Sequence, residues 1–394
     1  MNTKVFHTDI QEFILEKSKP HIDLTNLILS GSPFHDISIQ ELAQQIQGKR
    51  KAKTKLPTWY SCNEIYYPPN LNLEQTSSET TALYKSNLVS GDYLLDLTGG
   101  FGIDDYYFAK RIKKVIHCEL NETLSKIATH NFKALQQHNI ATISGDSLKF
   151  LKQRPDLDWI YVDPSRRHES KGKVFFLEDC LPDVPNNLDL FFSKSKNILL
   201  KTSPLLDLRI GLKALKNVKE IHVVAVNNEV KELVWILEKD FVGDTTIVTI
   251  NLQKKEDQEF SFIHAKEVLQ EVHYATPQQY LYEPNSAILK SGGFLSIANA
   301  YQLKKLHINS HLYTSENLID FPGRKFKIEA TFPYQKKALS KVGIAKANIT
   351  TRNFPESVAI IRKKFKIKEG GDQYLFFTTD CNAKKIIILC KKVV

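Results

Sequence analysis

Cysteine is scarce in this chain: five thiols in 394 residues, Cys62, Cys118, Cys180, Cys381 and Cys390, with no CxxC pair among them. That spacing excludes a disulfide-stapled scaffold and a paired-thiolate zinc site, and leaves reduced, mostly buried thiols as the expectation. The twelve histidines form no HxH or HExxH cluster, so no metal site is expected. Long apolar runs are missing as well. None approaches the ~18 residues that cross a bilayer, and the opening MNTKVFHTDIQEFILEK carries charges too often for a secretory leader. The expectation is a cytoplasmic protein without a membrane partner. Composition shows no repeat, low-complexity tract or excess of glycine, which excludes fibrous and disordered classes.

What is present is enough chain for several domains, at a prior of ~150 residues each, and a net charge of +10 that favours an acidic partner. The excess is localised. Residues 324–368 hold 13 lysines and arginines against 2 acids, so the remainder is nearly neutral. Such a field is expected where a domain tracks a phosphate backbone, or where a solvated face serves solubility. A second basic run, GKRKAKTKLP, supplies Lys49, Arg50, Lys51, Lys53 and Lys55 ahead of Trp59, Tyr60, Tyr66 and Tyr67. These aromatics read as a stacking surface or, more ordinarily, as core.

Periodicity then divides the chain. In the N-terminal segment Ile10, Phe13, Ile14, Leu42 and Ile46 recur at helical spacing, and Thr76 with Glu79 reads as a capping box opening a helix that ends near Val89. From Asp92 short apolar runs alternate with helical stretches. The strands expected are YLLDL (93–97), KVIHCE (114–119), IATIS (140–144), DWIYVD (158–163), NILLK (197–201), IHVVAV (221–226) and TTIVTI (245–250), with helices notably over 121–138 and 205–216. That order predicts an α/β, doubly wound parallel sheet whose crevice lies beyond the carboxyl ends of its strands. After the charged linker QKKEDQEF the pattern becomes α+β: EPNSAILK, a helix around FLSIANAYQLKKL, strand FKIEATF, helix YQKKALSKVG, strand ANITTR, helix PESVAIIRKKF, and paired strands QYLFFTTD and KKIIILC.

The expected crevice collects a coherent set of residues. Asp96 near the end of the first strand runs into Thr98, Gly99, Gly100, Phe101 and Gly102, a turn in which backbone without a Cβ approaches a ligand closely. Glu119 closes the second strand, where a carboxylate accepts from ribose hydroxyls, and Asp146 with Ser147 follows the third, where one accepts from an adenine amine. Asp163 and Pro164 close the fourth. A dinucleotide fingerprint wants a third glycine where Asp105 stands, and a P-loop wants a GK[ST] that does not follow.

In order, DLTGGFG, HCEL, GDS and DPSRR resemble the motifs of class I S-adenosylmethionine-dependent methyltransferases over roughly residues 74–250. With KAKTKLPTW, EQTSSETTALYK, KTSP and the EPN segment, the chain is similar to bacterial methyltransferases that carry a THUMP-like C-terminal domain. The resemblance implies a Rossmann-like methyltransferase sheet with a ferredoxin/THUMP-like α+β domain behind it. It also implies a helical accessory region at 1–73, the methyltransferase domain at 74–252, a connecting segment at 253–323 and the basic domain at 324–394. S-adenosyl-L-methionine would lie against Asp96, Thr98, Gly100 and Gly102 by its methionine end, Glu119 and Leu120 by its ribose, and Asp146 and Ser147 by its adenine, with Gln75 and Thr76 closing over it.

Neither DPSRR nor KTSP supplies the cysteine nucleophile that pyrimidine C5 methylation uses, so N- or O-methylation is favoured. Asp163 would orient or deprotonate the acceptor, and Arg166 and Arg167 would hold phosphate or a base edge. Lys201 and Ser203 would line the acceptor pocket, and Lys336, Lys337, Arg352 and Lys363 would contact the phosphates of a structured RNA. Two alternatives stay open: a non-catalytic nucleic-acid-binding protein that retains the cofactor fold, and a protein or small-molecule methyltransferase.

Overall fold

The computed structural model describes residues 1–154, 156–166, 176–335, 337 and 343–393, the side chain of residue 166 excepted. The chain splits into two compact units, Met1–Lys219 with Leu233–Val242, and Glu220–Glu232 with Gly243–Val394.

In chain order the strands up to the unit boundary are β1 (Gly91–Asp96), β2 (Ile112–Glu119), β3 (Ile140–Ser144), β4 (Leu157–Val162), the short pair β5 (Ser165–Arg166) and β6 (Cys180–Leu181), β7 (Ser195–Thr202), β8 (Val218–Val226) and β9 (Glu229–Glu238). The sheet of the first unit runs β9-β7-β4-β1-β2-β3, all parallel except β9, which lies antiparallel on β7. The chain moves outward from β1 through β2 to β3 and then returns to the other side of β1 with β4. That reversal opens a crevice at the carboxyl ends of β1 and β4. Leu94, Leu95, Ile160, Val162, Leu199 and Leu200 are fully buried, so both faces are covered and the strands read as apolar runs rather than alternations. The N-terminal helices pack on the helices that follow β1 and β2: their Ile10, Ile14, Leu42, Ile46 and Trp59 share a core with Tyr106 and Tyr107 of helix Ile103–Phe108 and Phe132 of helix Glu122–Ala134.

The second unit continues with β10 (Thr246–Leu252), parallel to β8, and β11 (Gln258–Ile263), antiparallel to β10. Beyond these come β12 (Tyr280–Pro284), β13 (Lys304–Lys305), β14 (Tyr313–Ser315), β15 (Gly323–Pro333), β16 (Asn348–Arg352), β17 (Gln373–Thr379) and β18 (Lys385–Val393). Among the described residues these seven make one sheet, in the order β13-β14-β12-β15-β18-β17-β16. Strand period assigns each side a core. Phe376, Ile386, Ile388 and Cys390 join Leu281, Leu306 and Phe326 on one face, while Leu375, Phe377, Ile387 and Leu389 join Ile361 and Ile367 on the other.

The expected strands recur with ends shifted by a few residues, and seven further strands appear among the described residues: β5, β6, β9, β11, β12, β13 and β14. β9 carries LVWIL, five consecutive apolar residues without a period of two, and β11 begins inside the expected charged linker, with only Phe260 and Phe262 turned inward. The helix expected from Thr76 begins later: Ser78 is its cap, accepting from Thr81 N at 3.2 Å, and the helix is Glu79–Ser86. Glu79 reaches instead to Thr58, whose N and Oγ1 donate to it at 2.6 and 2.9 Å, and to the Tyr107 hydroxyl at 2.8 Å. The expected helix YQKKALSKVG falls mostly outside the described residues.

Candidate active site

The turn after β1 is held by its own polar atoms. Asp96 Oδ1 accepts from Thr98 N at 2.7 Å and Thr98 Oγ1 at 3.0 Å, and that hydroxyl oxygen in turn accepts from Asp163 N at 2.7 Å. The ends of β1 and β4 are thereby fastened to each other. Gly100 N donates to Glu119 Oε2 at 2.8 Å, Asn121 N to Glu119 Oε1 at 2.7 Å, and Gly145 N to the Glu119 carbonyl at 2.9 Å, which ties the ends of β2 and β3 to the same turn. Each oxygen of Glu119 keeps a lone pair beyond its single backbone donor.

The two glycines assigned to the cofactor differ in surroundings. Gly100 has φ +59° and only the Thr98 carbonyl, at 3.6 Å, near the place a Cβ would take, so its backbone is bare toward open space. Gly102 has φ +81° and is buried, with the Phe132 ring 2.4 Å from that place. The first leaves room for a ligand; the second lets helix Glu122–Ala134 close onto the turn.

Behind the turn lies a set of buried acids. Asp96 is 2% exposed, and burial followed by the charge of Asp105 pushes its carboxyl well above the usual range. Asp105 is raised in the same way, by burial and then by Asp104, and sits 2.6 Å from His117 Nδ1. His117 is itself lowered by burial, so the neutral imidazole is favoured. Asp104 behaves oppositely. Burial acts to raise it, but Lys85 and Lys201 together with hydrogen bonds from Tyr161 (2.7 Å) and Ser77 (2.9 Å) prevail and hold it low. Lys85, fully buried, lies 3.2 Å from Asp104 and donates to Ser77 Oγ at 2.9 Å. Sequence reasoning passed over Lys85, Asp104, Tyr161 and His117. The available signal was the pair of acids in the first turn of helix Ile103–Phe108, directly after the glycines.

At the end of β4, Lys201 of β7 donates to Asp163 Oδ2. Asp163 Oδ1 accepts no hydrogen bond among the described residues. Pro164 is buried beside it. Arg166 belongs by its backbone to β5, and Arg167 and Lys336 lie outside the described residues.

Other expected site residues are placed differently. Asp146 is exposed and caps helix Ser147–Lys152, accepting from Leu148 N at 3.0 Å and Lys149 N at 3.2 Å through Oδ1, while its Oδ2 lies 3.9 Å from Lys149 Nζ, a loose ion pair that leaves a lone pair for a donor. Gln75 is exposed, Thr76 half-buried and Leu120 73% exposed; within EQTSSE it is Ser77 that reaches the acids. Ser203 Oγ closes its own turn, accepting from Leu205 N at 3.2 Å. Lys337 is exposed, Lys363 lies on helix Val358–Phe365, and Arg352 is bound to Glu283. The N-terminal basic run turns inward: Lys49 is 6% exposed over the Tyr60 ring, and Arg50 donates to the carbonyls of Lys17, Ser18 and Ile22. Trp59, Tyr66 and Tyr67 are buried and form core, not a stacking surface.

Among the described residues no group of three or more ligand-type side chains is arranged to hold a metal ion, and no helix is long and apolar enough to cross a membrane. The pattern of a ferredoxin-like domain matches residues 280–322 and that of a THUMP domain-like region matches 323–392. A search of curated proteins finds no match. Among solved structures, a Porphyromonas gingivalis W83 protein assigned as a methyltransferase is 32% identical, covers 100% of both chains and superposes with a TM-score of 0.90. The TrmK protein of M. capricolum, in complex with S-adenosyl-homocysteine, is 15% identical over 42% of this chain and 70% of its own, with a TM-score of 0.32. A Pyrococcus horikoshii protein assigned as an RNA methyltransferase is 16% identical over 38% of this chain and 74% of its own, with a TM-score of 0.28. Full-length identity with the P. gingivalis protein, the parallel sheet with its glycine turn, and the C-terminal match together place the chain in the class I methyltransferase family that carries a THUMP-like C-terminal domain.

Proposed function

We propose that the chain is an S-adenosylmethionine-dependent methyltransferase that modifies an N or O atom of RNA, docked by the basic segment of its second unit. The observation that carries the reading is the hydrogen-bonded turn linking Asp96, Thr98, Gly100, Glu119 and Asp163 at adjacent strand ends.

The residues fit that cofactor. Bare backbone at Gly100 suits close approach, the remaining lone pairs of Glu119 suit a ribose diol, and Asp146 Oδ2 suits an exocyclic amine. Thr98 would sit beside the methionine end, with Gln75, Thr76, Leu120 and Ser147 completing the enclosure. Asp96 would act from behind, by fixing Thr98. Bound there, S-adenosylmethionine supplies a methyl group on a sulfonium, a good leaving group for in-line displacement.

The protein's own task is then orientation, a contribution of roughly 7 to 11 kcal/mol where reactants are held in line. Asp163, steadied through Oδ2 by Lys201 and through its N–H by Thr98, presents Oδ1 to accept an N–H or O–H of the acceptor and take its proton. The RNA assignment is supported by the THUMP domain-like match at 323–392 and by the 13 basic residues against 2 acids in 324–368.

Incubation with methyl-labelled cofactor and separated cellular RNA and protein pools tests the reading. Label in the RNA pool is expected. Label confined to protein would overturn the RNA substrate and leave the methyltransferase standing.

A further inference from the structure

In the second unit the seven-stranded sheet bends far enough to bring the end of its edge strand β16 against the start of β15. Arg352 ends β16, and through β17 and β18 its register row leads to Pro333, at the far end of β15 from Arg324. On a flat sheet these arginines would stand on the order of 25 Å or more apart along the strands alone. Yet both hold one carboxylate. Glu283 of β12 is 3% exposed at its side chain; Arg324 donates through Nε (2.6 Å) and Nη2 to its Oε2, and Arg352 through Nε (3.0 Å) and Nη2 (2.8 Å) to its Oε1. Arg324 Nη2 also reaches Thr350 Oγ1 at 3.4 Å. A register shift between Ile328 and Ala330 marks a bulge in β15, a device that bends strands.

A carboxylate this deeply buried needs compensation, and one guanidinium on each oxygen provides it. The group is nevertheless over-compensated, with two cations on one anion. Each arginine is 36% exposed, and among the described residues neither Nη1 has a hydrogen-bond partner. Asn353, exposed, and His307 border the pair and are joined to each other at 3.0 Å. Two planar forks are therefore held from behind by one carboxylate, part-exposed and with Nη1 of each unused among the described residues, a donor set that suits a tetrahedral oxyanion.

We infer that Arg324 and Arg352, fixed by Glu283, form a clamp for a backbone phosphodiester of the bound RNA. The inference rests on the RNA reading above and gives that docking a specific anchor. Glu283 lies in the ferredoxin-like segment and both arginines in the THUMP-like one, so the clamp exists only where the two share a sheet.

The test uses the full chain and an end-labelled RNA hairpin of arbitrary sequence, since phosphate contacts carry no sequence information. Arg352→Lys keeps the charge and loses the fork; its affinity for the hairpin is expected to fall about tenfold with the salt slope unchanged. Glu283→Gln removes a negative charge. Simple charge counting predicts tighter binding, whereas loss of the rigid clamp predicts weaker binding, and weaker is expected. Thermal melting checks that each variant folds, and Arg324→Lys carries the same expectation as Arg352→Lys should either fail. Wild-type affinity in the lysine variants, or tighter binding by Glu283→Gln, would overturn the clamp and leave RNA docking intact. A wild-type chain that does not bind the hairpin would overturn RNA docking itself, and the clamp with it.

Discussion

Asp105 and His117 sit 2.6 Å apart and fully buried, with Asp96 close enough for its charge to act on His117 and for the charge of Asp105 to act on it in turn. A carboxyl raised by burial contributes stability that is present at low pH and lost as pH rises through its folded value. An imidazole lowered by burial does the reverse, losing stability as pH falls below the ordinary histidine range. Asp105→Asn removes the first of these. Its melting temperature relative to wild type is expected to become more favourable as pH rises above the ordinary carboxylate range, and a difference independent of pH would contradict the raised carboxyl. At the proposed acceptor side, Asp163→Asn is expected to slow methyl transfer at saturating RNA about a hundredfold, with affinity for S-adenosylhomocysteine essentially unchanged. Loss of cofactor affinity in that variant would relocate Asp163 from chemistry to cofactor binding. The strand-end acids were legible in the sequence because each ends an apolar run. What each does was less legible, since a capping carboxylate and a ligand-binding one look identical in sequence: Asp146 spends one oxygen on a helix cap, and Asp96 faces the buried acids.

Among the elements, the glycine turn shows how packing and conformation separate. Gly102 and Gly292 share a left-handed conformation, φ +81° with ψ 18° and 6°, but Gly102 faces the Phe132 ring while Gly292 has nothing within 4 Å. Alanine at position 292 is expected to cost about 1 kcal/mol from backbone strain alone. At position 102 the clash adds roughly 1 to 3 kcal/mol more. Urea denaturation of both variants tests this, and equal losses would mean that helix Glu122–Ala134 yields freely. The parallel strands were readable from their buried apolar runs. β9 was not, because five consecutive apolar residues between charged ends are compatible with helix or strand, and only pairing with β7 decides. The cap of helix Glu79–Ser86 was misplaced for a similar reason: Thr76, Ser77 and Ser78 are all acceptable caps, and the choice falls to Ser78 because Ser77 is drawn into the buried network of Lys85 and Asp104.

For the molecule as a whole, charge is segregated. The basic excess lies in 324–368, whereas the N-terminal lysines and arginines that seemed equivalent in sequence are largely consumed by intramolecular contacts: Lys51 by Glu74, Lys55 by the carbonyls of Leu73 and Glu74, and Arg50 by three further carbonyls. Charge counted along the chain therefore overstates the number of available cations in the first region. RNA binding is expected to weaken steeply with salt, and Lys363→Gln, on the exposed side of its helix, to reduce the log–log slope by about one. A flat salt response would contradict a phosphate-docking role for the segment. Everything proposed for the first unit depends on a nucleoside occupying the pocket built by Gly100 and Glu119. Titration calorimetry of the full chain with S-adenosylhomocysteine measures that directly. Saturable binding to wild type that weakens at least tenfold in Glu119→Ala is the result predicted; no binding, or equal affinity in the variant, would contradict it.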